Sequence, residues 1–167
     1  MKRILIALFV SILATATVFA ANDAKTLEQN KAIALGFINT YFNDHKPREA
    51  FTKYASPRFH HHAQWAGSGT PEQIVQHNIE SAEKMLSNGA NTKREIKQVI
   101  AEGDLVMIHS HATGNPNDGQ EIVNVKKGGQ KGPKTGDTVI NVFRIENGKI
   151  AEHWEVSQPT TDLKDVY

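Results

Sequence analysis

The chain of 167 residues contains no cysteine. This absence excludes disulfides, thiolate zinc sites, iron–sulfur clusters and cysteine nucleophiles. There is also no excess of one charge, because 19 lysines and arginines stand against 18 aspartates and glutamates. General nucleic-acid binders need a clear cationic excess for their phosphate contacts, so this class is disfavoured. Any chemistry therefore falls to histidines, carboxylates, amides and hydroxyls.

The one long apolar run lies at the N-terminus. Lys2 and Arg3 precede an apolar stretch that continues to Phe19, and Val18 and Ala20 supply small residues at the −3 and −1 positions of a cleavage site. This pattern is typical of a secretory signal peptide. We expect residues 1–20 to be removed, which leaves one domain over 21–167 that is periplasmic or secreted and has no stable membrane span. A retained anchor is the alternative, although the run is short and contains threonine.

Three segments of the mature chain have the periodicity of helices. Thr26 to Gln29 resembles a capping box, and apolar residues then recur at helical spacing as far as Asn43. Pro47 suits the first turn of a short helix that ends near Tyr54. Thr70 is an expected N-cap for a third helix, which ends near Ser87. All three helices precede the main group of strands.

Beyond Thr92 the apolar period changes to two, which predicts strands. The Asn147-Gly148 pair is a strong hairpin signal between the last two. The predicted strands run from Arg94 to Ala101, Leu105 to Thr113, Glu121 to Val125, Thr138 to Ile145 and Lys149 to Ser157. Lys126 to Gly136 is rich in lysine and glycine and is expected to be a mobile loop. Helices followed by strands predict an α+β fold with a pocket between its layers.

The end of the chain resembles the SnoaL-like polyketide cyclases. The resemblance rests on Phe143-Arg144, the Asn147-Gly148 hairpin and the Glu152-His153-Trp154-Glu155 run, and it extends over about Leu27 to Pro159. This family lies in the nuclear-transport-factor-two-like superfamily, together with ketosteroid isomerase and scytalone dehydratase. The resemblance implies a cone-shaped barrel, in which three N-terminal helices pack on a curved antiparallel sheet of four to five strands.

The resemblance also implies site residues. Glu155 takes the position of the family's general acid/base, where aspartate is usual, and Asn141 stands where relatives carry an acid or histidine. The family's tyrosine-x-glutamine-histidine segment matches Phe59 to His62, with His62 at the histidine position. The loss of the tyrosine hydroxyl at Phe59 and of a proton-transfer group at Asn141 departs from the family's pattern.

Strand alternation adds His109 and His111, which must share one face of their strand. Packing is the alternative role for both. We thus predict catalytic roles for Glu155, His62, His109 and Asn141. The predicted substrate-binding residues are Phe59, Trp65, His111, Phe143 and His153.

The three consecutive histidines His60, His61 and His62 invite a metal interpretation. Consecutive side chains of an extended segment point to opposite faces, so at most His60 and His62 converge, and the sequence contains no HExxH motif. We expect no metal and no cofactor. The favoured function is proton-transfer chemistry on a small carbonyl compound, with aldol closure, isomerisation or dehydration as outcome. The alternatives are a non-catalytic binding module for a small hydrophobic ligand and a dimeric interaction domain, and a homodimer is expected in any case.

Overall fold

Three helices form one layer of the fold. The computed structural model describes residues 23–63, 67–120 and 134–161. The first helix, α1, spans 23–38 and continues into a π-helical turn, Asn39–Asn43; α2 is Pro47–Tyr54 and α3 is Pro71–Ser87. Helix α3 starts as its sequence predicts, because the Thr70 hydroxyl accepts from the Gln73 N–H while the Gln73 side chain accepts from the Thr70 N–H.

Five strands form the second layer, in the order β1-β5-β4-β3-β2. Their bounds are Ala55–His61 for β1, Lys93–Glu102 for β2, Leu105–Thr113 for β3, Gly136–Glu146 for β4 and Lys149–Thr160 for β5. Asn147 and Gly148 both have positive φ, as a tight two-residue hairpin between β4 and β5 requires. The α+β class is therefore confirmed.

The sheet differs in two details from the expected antiparallel barrel. Strand β1 pairs in parallel with β5, whereas the other neighbours are antiparallel. The long stretch of chain between β1 and β5 does not impose the antiparallel direction that a hairpin would. Within the described residues β1 and β2 are edges that do not pair with each other, so the sheet is open.

The strand register defines two faces of the sheet. Val106 and Ile108 of β3 and Phe143 of β4 are fully buried and point toward the helices, and we call this side the inner face. Aromatic rings tie the helices to it, since the Phe37 ring packs edge-on against Phe51 at 5.3 Å and against Phe143 at 5.8 Å. The outer face is the opposite side, which carries Met107 and Val142. The core of the protein thus lies between the inner face and the helices.

Some predicted features lie outside the described residues. These are the signal peptide, Trp65, the strand from Glu121 to Val125 and most of the loop from Lys126 to Gly136. Of that loop, Lys134 and Thr135 are described, and Gly136 already belongs to β4. Within the part of the chain that the structure describes, no helix is both long and apolar enough to cross a membrane.

Candidate functional site

A cavity of about 550 Å³ opens between the helices and one end of the inner face. Ala82, Met85 and Leu86 of α3 form an apolar wall, while Arg94, Asp137 and Glu155 of the strands form a polar one. Cavities of this size with a few convergent polar groups are typical of small-molecule sites. The other lining residues are Tyr41, Phe42, Asn78, Ser81, Ala90, Thr92, Asn115, Pro116, Asn117, Lys134 and Ser157.

Glu155 is the carboxylate at the centre of the polar wall. The β4–β5 register sets it directly opposite Asn141, whose Nδ2 donates a hydrogen bond of 2.9 Å to Glu155 Oε2. Asn141 is fully buried, and its Oδ1 has no hydrogen-bond partner among the described residues. The structure therefore brings together two of the four predicted catalytic residues, with the amide orienting the carboxylate.

Arg94 reaches the same carboxylate from β2. Its terminal nitrogen lies 3.7 Å from Glu155 Oε2, and the two side chains are only 8% and 17% exposed. The guanidinium also lies over the Phe42 ring, 4.1 Å from its centroid. Burial lowers the pKa of Arg94, while the charges of Glu155 and Asp137 oppose that shift. Glu155 is thus held as one half of a largely desolvated ion pair.

Tyr41, in the π-helical turn, supplies a hydroxyl to the same cavity. Burial, followed by the negative charge of Glu155, raises the pKa of Tyr41 to about 12. The hydroxyl therefore keeps its proton at every physiological pH. It is a permanent hydrogen-bond donor beside a carboxylate.

An ion cluster around Lys134 also borders the cavity. Its ammonium lies 2.7 Å from Asp137 Oδ2 and 3.4 Å from Asp118 Oδ1, and it donates to Asn117 Oδ1 at 2.9 Å. Asn115 donates a further hydrogen bond to Asp137. These contacts join the residues after β3 to the beginning of β4.

Two buried histidines lie further along the inner face. The His61 and His153 rings stack at 4.4 Å, and His153 stacks on Phe143 at 4.6 Å. His61 Nδ1 lies 3.1 Å from Asn78 Oδ1. Burial lowers the pKa of His61 and holds the pKa of His153 well below its usual range. Both rings are therefore neutral at physiological pH.

Three of the predicted site residues lie on the outer face instead. His62 stacks on Trp154 at 4.3 Å and hydrogen-bonds Glu152 at 2.7 Å, while His109 and His111 alternate with the inward Ile108 and Ser110. Strand alternation separates all three from Glu155. It also means that His61, not His62, shares the face of Phe59.

The remaining predicted residues lie in the packed core. Phe59 and Phe143 are 1% and 0% exposed, and His153 is 5% exposed. None of the three is among the residues that line the cavity. The described structure thus shows these three rings packed in the core, and their predicted contact with substrate stays a prediction.

Sequence reasoning missed three groups at the cavity. The sequence does contain a signal for Asp137. Residues of a strand alternate between faces, so the inward series Phe143, Asn141 and Val139 continues to Asp137. Tyr41 falls within the apolar helical pattern that ends near Asn43, which indicates packing and gives no sign of a role at the cavity. Arg94 gave no local signal, because its contact with Glu155 is made across the sheet from β2.

Among the described residues, no three histidine, aspartate or glutamate side chains are grouped so as to hold a metal ion. The chemistry that the site itself offers is proton transfer. Glu155 can accept a proton, and the Tyr41 hydroxyl and the Arg94 guanidinium can donate hydrogen bonds to an oxygen that becomes negative.

Solved structures with the same fold support the architecture. A candidate polyketide cyclase from Bacillus cereus ATCC 10987 is 19% identical over 78% of this chain and 74% of its own, with a TM-score of 0.56. TsrD from Streptomyces laurentii is 17% identical over 78% and 89%, with a TM-score of 0.55. AclR, a candidate hydroxylase from Streptomyces galilaeus, is 20% identical over 79% and 90%, with a TM-score of 0.54. At these identities the likeness concerns the fold.

A search of curated proteins gives no match. The family profile described as SnoaL-like polyketide cyclase matches residues 32–165. This range includes the last part of α1, all of α2 and α3, all five strands and every described residue of the cavity. The last hairpin, from which the resemblance was first drawn, lies inside this match. The chain therefore belongs to the SnoaL-like polyketide cyclase family.

Proposed function

We propose that this protein catalyses proton transfer on a small carbonyl compound, with Glu155 as general acid/base. Glu155 removes a proton from the carbon next to the carbonyl, and the C–H electron pair moves into the carbonyl group to form an enolate. Return of the proton to another carbon gives isomerisation, attack on a second carbonyl gives aldol closure, and loss of a β-hydroxyl as water gives dehydration. No external oxidant or reductant is needed for any of these steps.

The enolate oxygen requires hydrogen-bond donors, since stabilising this charge is commonly the largest part of such catalysis. His62 and His109, for which catalytic roles were predicted, lie on the outer face. Tyr41 and Arg94 replace them in the proposal, because both line the cavity that contains Glu155. Asn141 holds the carboxylate in position through its hydrogen bond to Oε2.

One observation carries the proposal: at the wall of a cavity of about 550 Å³, the Glu155 carboxylate is contacted by Asn141 and Arg94 through the same oxygen, Oε2. The other oxygen, Oε1, has no hydrogen-bond partner among the described residues. A carboxylate that is oriented through one oxygen and open through the other has the arrangement of a general base.

The test is deuterium exchange at the α-carbons of 4-phenylbutan-2-one in D2O, followed by proton NMR. We expect Glu155→Gln to lower the protein-dependent rate by about 10² to 10⁴, the usual contribution of a positioned base. The matched control is Glu152→Gln, which makes the same change on the outer face of the same strand. Exchange that persists undiminished in Glu155→Gln would refute the assignment of Glu155.

A non-catalytic binding module is the second candidate function, and one observation favours it. The charge of Glu155 is already compensated by Arg94 within the protein. Such an ion pair can also serve as a fixed polar wall of a cavity that binds a hydrophobic ligand without reaction. This candidate predicts that the ketone binds, that NMR signals from the cavity shift, and that no exchange above the buffer rate occurs in wild-type protein.

The outer face suggests how a homodimer or another protein partner would bind. Val156, Ile100 and Leu105 are 69%, 47% and 37% exposed, and together they leave much apolar area in contact with solvent. We propose that a second copy covers this face. Sedimentation should give a dimer mass for wild type and a monomer mass for Val156→Arg, whereas a wild-type monomer at micromolar concentration would contradict the proposal.

Export is the last part of the proposed function. The N-terminal pattern of Lys2, Arg3 and the apolar run supports cleavage after Ala20 and a periplasmic or secreted protein. N-terminal sequencing of protein from the exported fraction should begin at Ala21. A start at Met1 in the membrane fraction would instead indicate a retained anchor.

A further inference from the structure

The charges around the cavity limit which ligands it can accept. Among the described residues that line it, two buried cations, Arg94 and Lys134, are the groups to which an anionic ligand would bind. Whether either cation is available depends on how far the protein's own carboxylates already match its charge.

Lys134 is already surrounded by oxygens of the protein. Its ammonium donates a hydrogen bond of 2.9 Å to Asn117 and lies 2.7 and 3.4 Å from carboxylate oxygens of Asp137 and Asp118. Its side chain is only 7% exposed. A ligand carboxylate would have to displace one of these oxygens within a largely desolvated cluster.

Arg94 is similarly occupied. One terminal nitrogen faces Glu155, one face of the guanidinium covers the Phe42 ring, and Asp137 also acts electrostatically on the group. Its Nε is buried beyond the reach of solvent and has no partner among the described residues. Carboxylates of the protein thus largely compensate the charge of the guanidinium, which leaves little attraction for an anionic ligand.

Among the described residues, the charged groups of this cluster have an excess of negative charge. Two cations, Arg94 and Lys134, are matched by three carboxylates, Glu155, Asp137 and Asp118, whose side chains are 12% to 20% exposed. Water screens such charges poorly, so the excess acts across the cavity. A carboxylate ligand would lose its hydration and meet like charge, whereas a ketone or amide would lose much less.

We propose that the cavity selects uncharged carbonyl compounds and rejects carboxylates, with Asp118 supplying the excess negative charge. The inference rests on the proposed function for the identity of the site. It adds the class of substrate: a ketone, aldehyde or amide without a free acid group. Apolar contacts with Met85 and Leu86 of α3 favour a hydrocarbon portion on the side opposite the carbonyl.

The experiment compares the binding of three small molecules by NMR titration of labelled full-length mature protein at neutral pH and low ionic strength. They are 4-phenylbutan-2-one, 3-phenylpropanamide and 3-phenylpropanoate, which share a phenylethyl group and are nearly equal in size. The ketone and the amide should bind at least about tenfold more tightly than the carboxylate. In Asp118→Asn the preference should fall by about threefold or more, because the excess charge is removed.

The control is Glu152→Gln, which removes a carboxylate from the outer face and should leave the preference unchanged. Equal or tighter binding of 3-phenylpropanoate by wild type overturns the proposal, as does the absence of binding by all three molecules. A preference that Asp118→Asn and Glu152→Gln reduce equally also overturns it. If Asp118→Asn does not fold, the wild-type comparison decides the matter. Selective binding without α-carbon exchange would refute the proposed catalysis and leave the charge selection standing.

Discussion

The two faces of the sheet carry the same kinds of side chain in different surroundings. Each has an arginine–glutamate pair on neighbouring or nearby strands: Arg94 with Glu155 on the inner face, and Arg144 with Glu152 on the outer face. The outer pair has the better geometry, with a 2.8 Å contact and a further 2.7 Å contact from Arg144 to Asp104. Yet its side chains are 31% exposed, against 8% and 17% for the inner pair.

This difference shows that solvent, more than contact distance, decides what a charge pair can do. Water and salt screen the outer pair. It therefore adds little to the free energy of folding and has little electrostatic effect on a bound ligand. The inner pair is less screened and borders a cavity, so its field acts on whatever enters. The histidines show the same difference between a buried and a solvated group. Burial lowers the pKa of His153 and keeps its ring neutral, whereas His62 Nε2 lies 2.7 Å from Glu152 Oε2 near the surface.

The largest expected difference between the faces concerns adjacent residues of β4. Phe143→Ala should reduce the free energy of unfolding by about 4 kcal/mol, because a fully buried ring in contact with Phe37 is lost. Val142→Ala, on the half-buried outer side, should cost about 1 kcal/mol. Urea unfolding of both variants measures this. Equal costs would mean that the outer face is packed as a core, as in a tight dimer.

Removal of each arginine compares the two ion pairs directly. Arg94→Gln should cost about 3 kcal/mol of folding free energy, because it leaves Glu155 largely buried without its cation. Arg144→Gln should cost about 1 kcal/mol or less, since its partners remain hydrated. Thermal unfolding of both variants at two salt concentrations measures these costs. A larger cost for Arg144→Gln than for Arg94→Gln would contradict the view that the inner pair is the less screened one.

The histidines predict a dependence of stability on pH. Burial lowers the pKa of His153 and His61, so below about pH 6.5 the unfolded chain binds protons that the folded chain does not. Stability is therefore complete above that pH and falls as the pH drops, with a limiting slope of about 1.4 kcal/mol per pH unit for each histidine. His153→Phe should have a shallower slope between pH 7 and 5, whereas a slope equal to that of wild type would contradict this account.

The smallest effect is expected for the outer histidine. His62→Gln removes a half-exposed 2.7 Å contact with Glu152, which should change the free energy of unfolding by less than about 1 kcal/mol at neutral pH. High salt should reduce the effect further. A loss as large as that of Arg94→Gln would show that this part of the outer face is shielded from water.

The elements of the fold could be predicted because their signals are local. Strand β3 begins at Leu105 and ends at Thr113 as its period-two pattern indicates, and the capping box at Thr70 marks the start of α3. The direction of β1 is not a local property, because its pairing with β5 joins residues about 90 positions apart, as in the contact between His62 and Glu152. Its parallel orientation therefore had no signal in the sequence.

The site was predicted less completely than the fold, for a related reason. Alternation correctly grouped His109 with His111, but both faces of β3 carry apolar residues, so the pattern did not reveal which face meets the helices. Glu155 and Asn141 were identified through the family resemblance, and their pairing follows from the hairpin register. Arg94 reaches Glu155 across two intervening strands, a contact that depends on the assembled sheet.

The side-chain amide of Asn78 determines more than one hydrogen bond. Its Nδ2 donates to the carbonyl oxygen of Ile74 one turn earlier in α3, at 2.7 Å, so its oxygen must be the atom that faces His61. That oxygen can only accept, and the neutral imidazole must therefore carry its hydrogen on Nδ1 and a lone pair on Nε2. A backbone carbonyl of α3 thus selects the tautomer of a histidine on the edge strand β1. Nitrogen-15 chemical shifts of the His61 ring would display this tautomer directly.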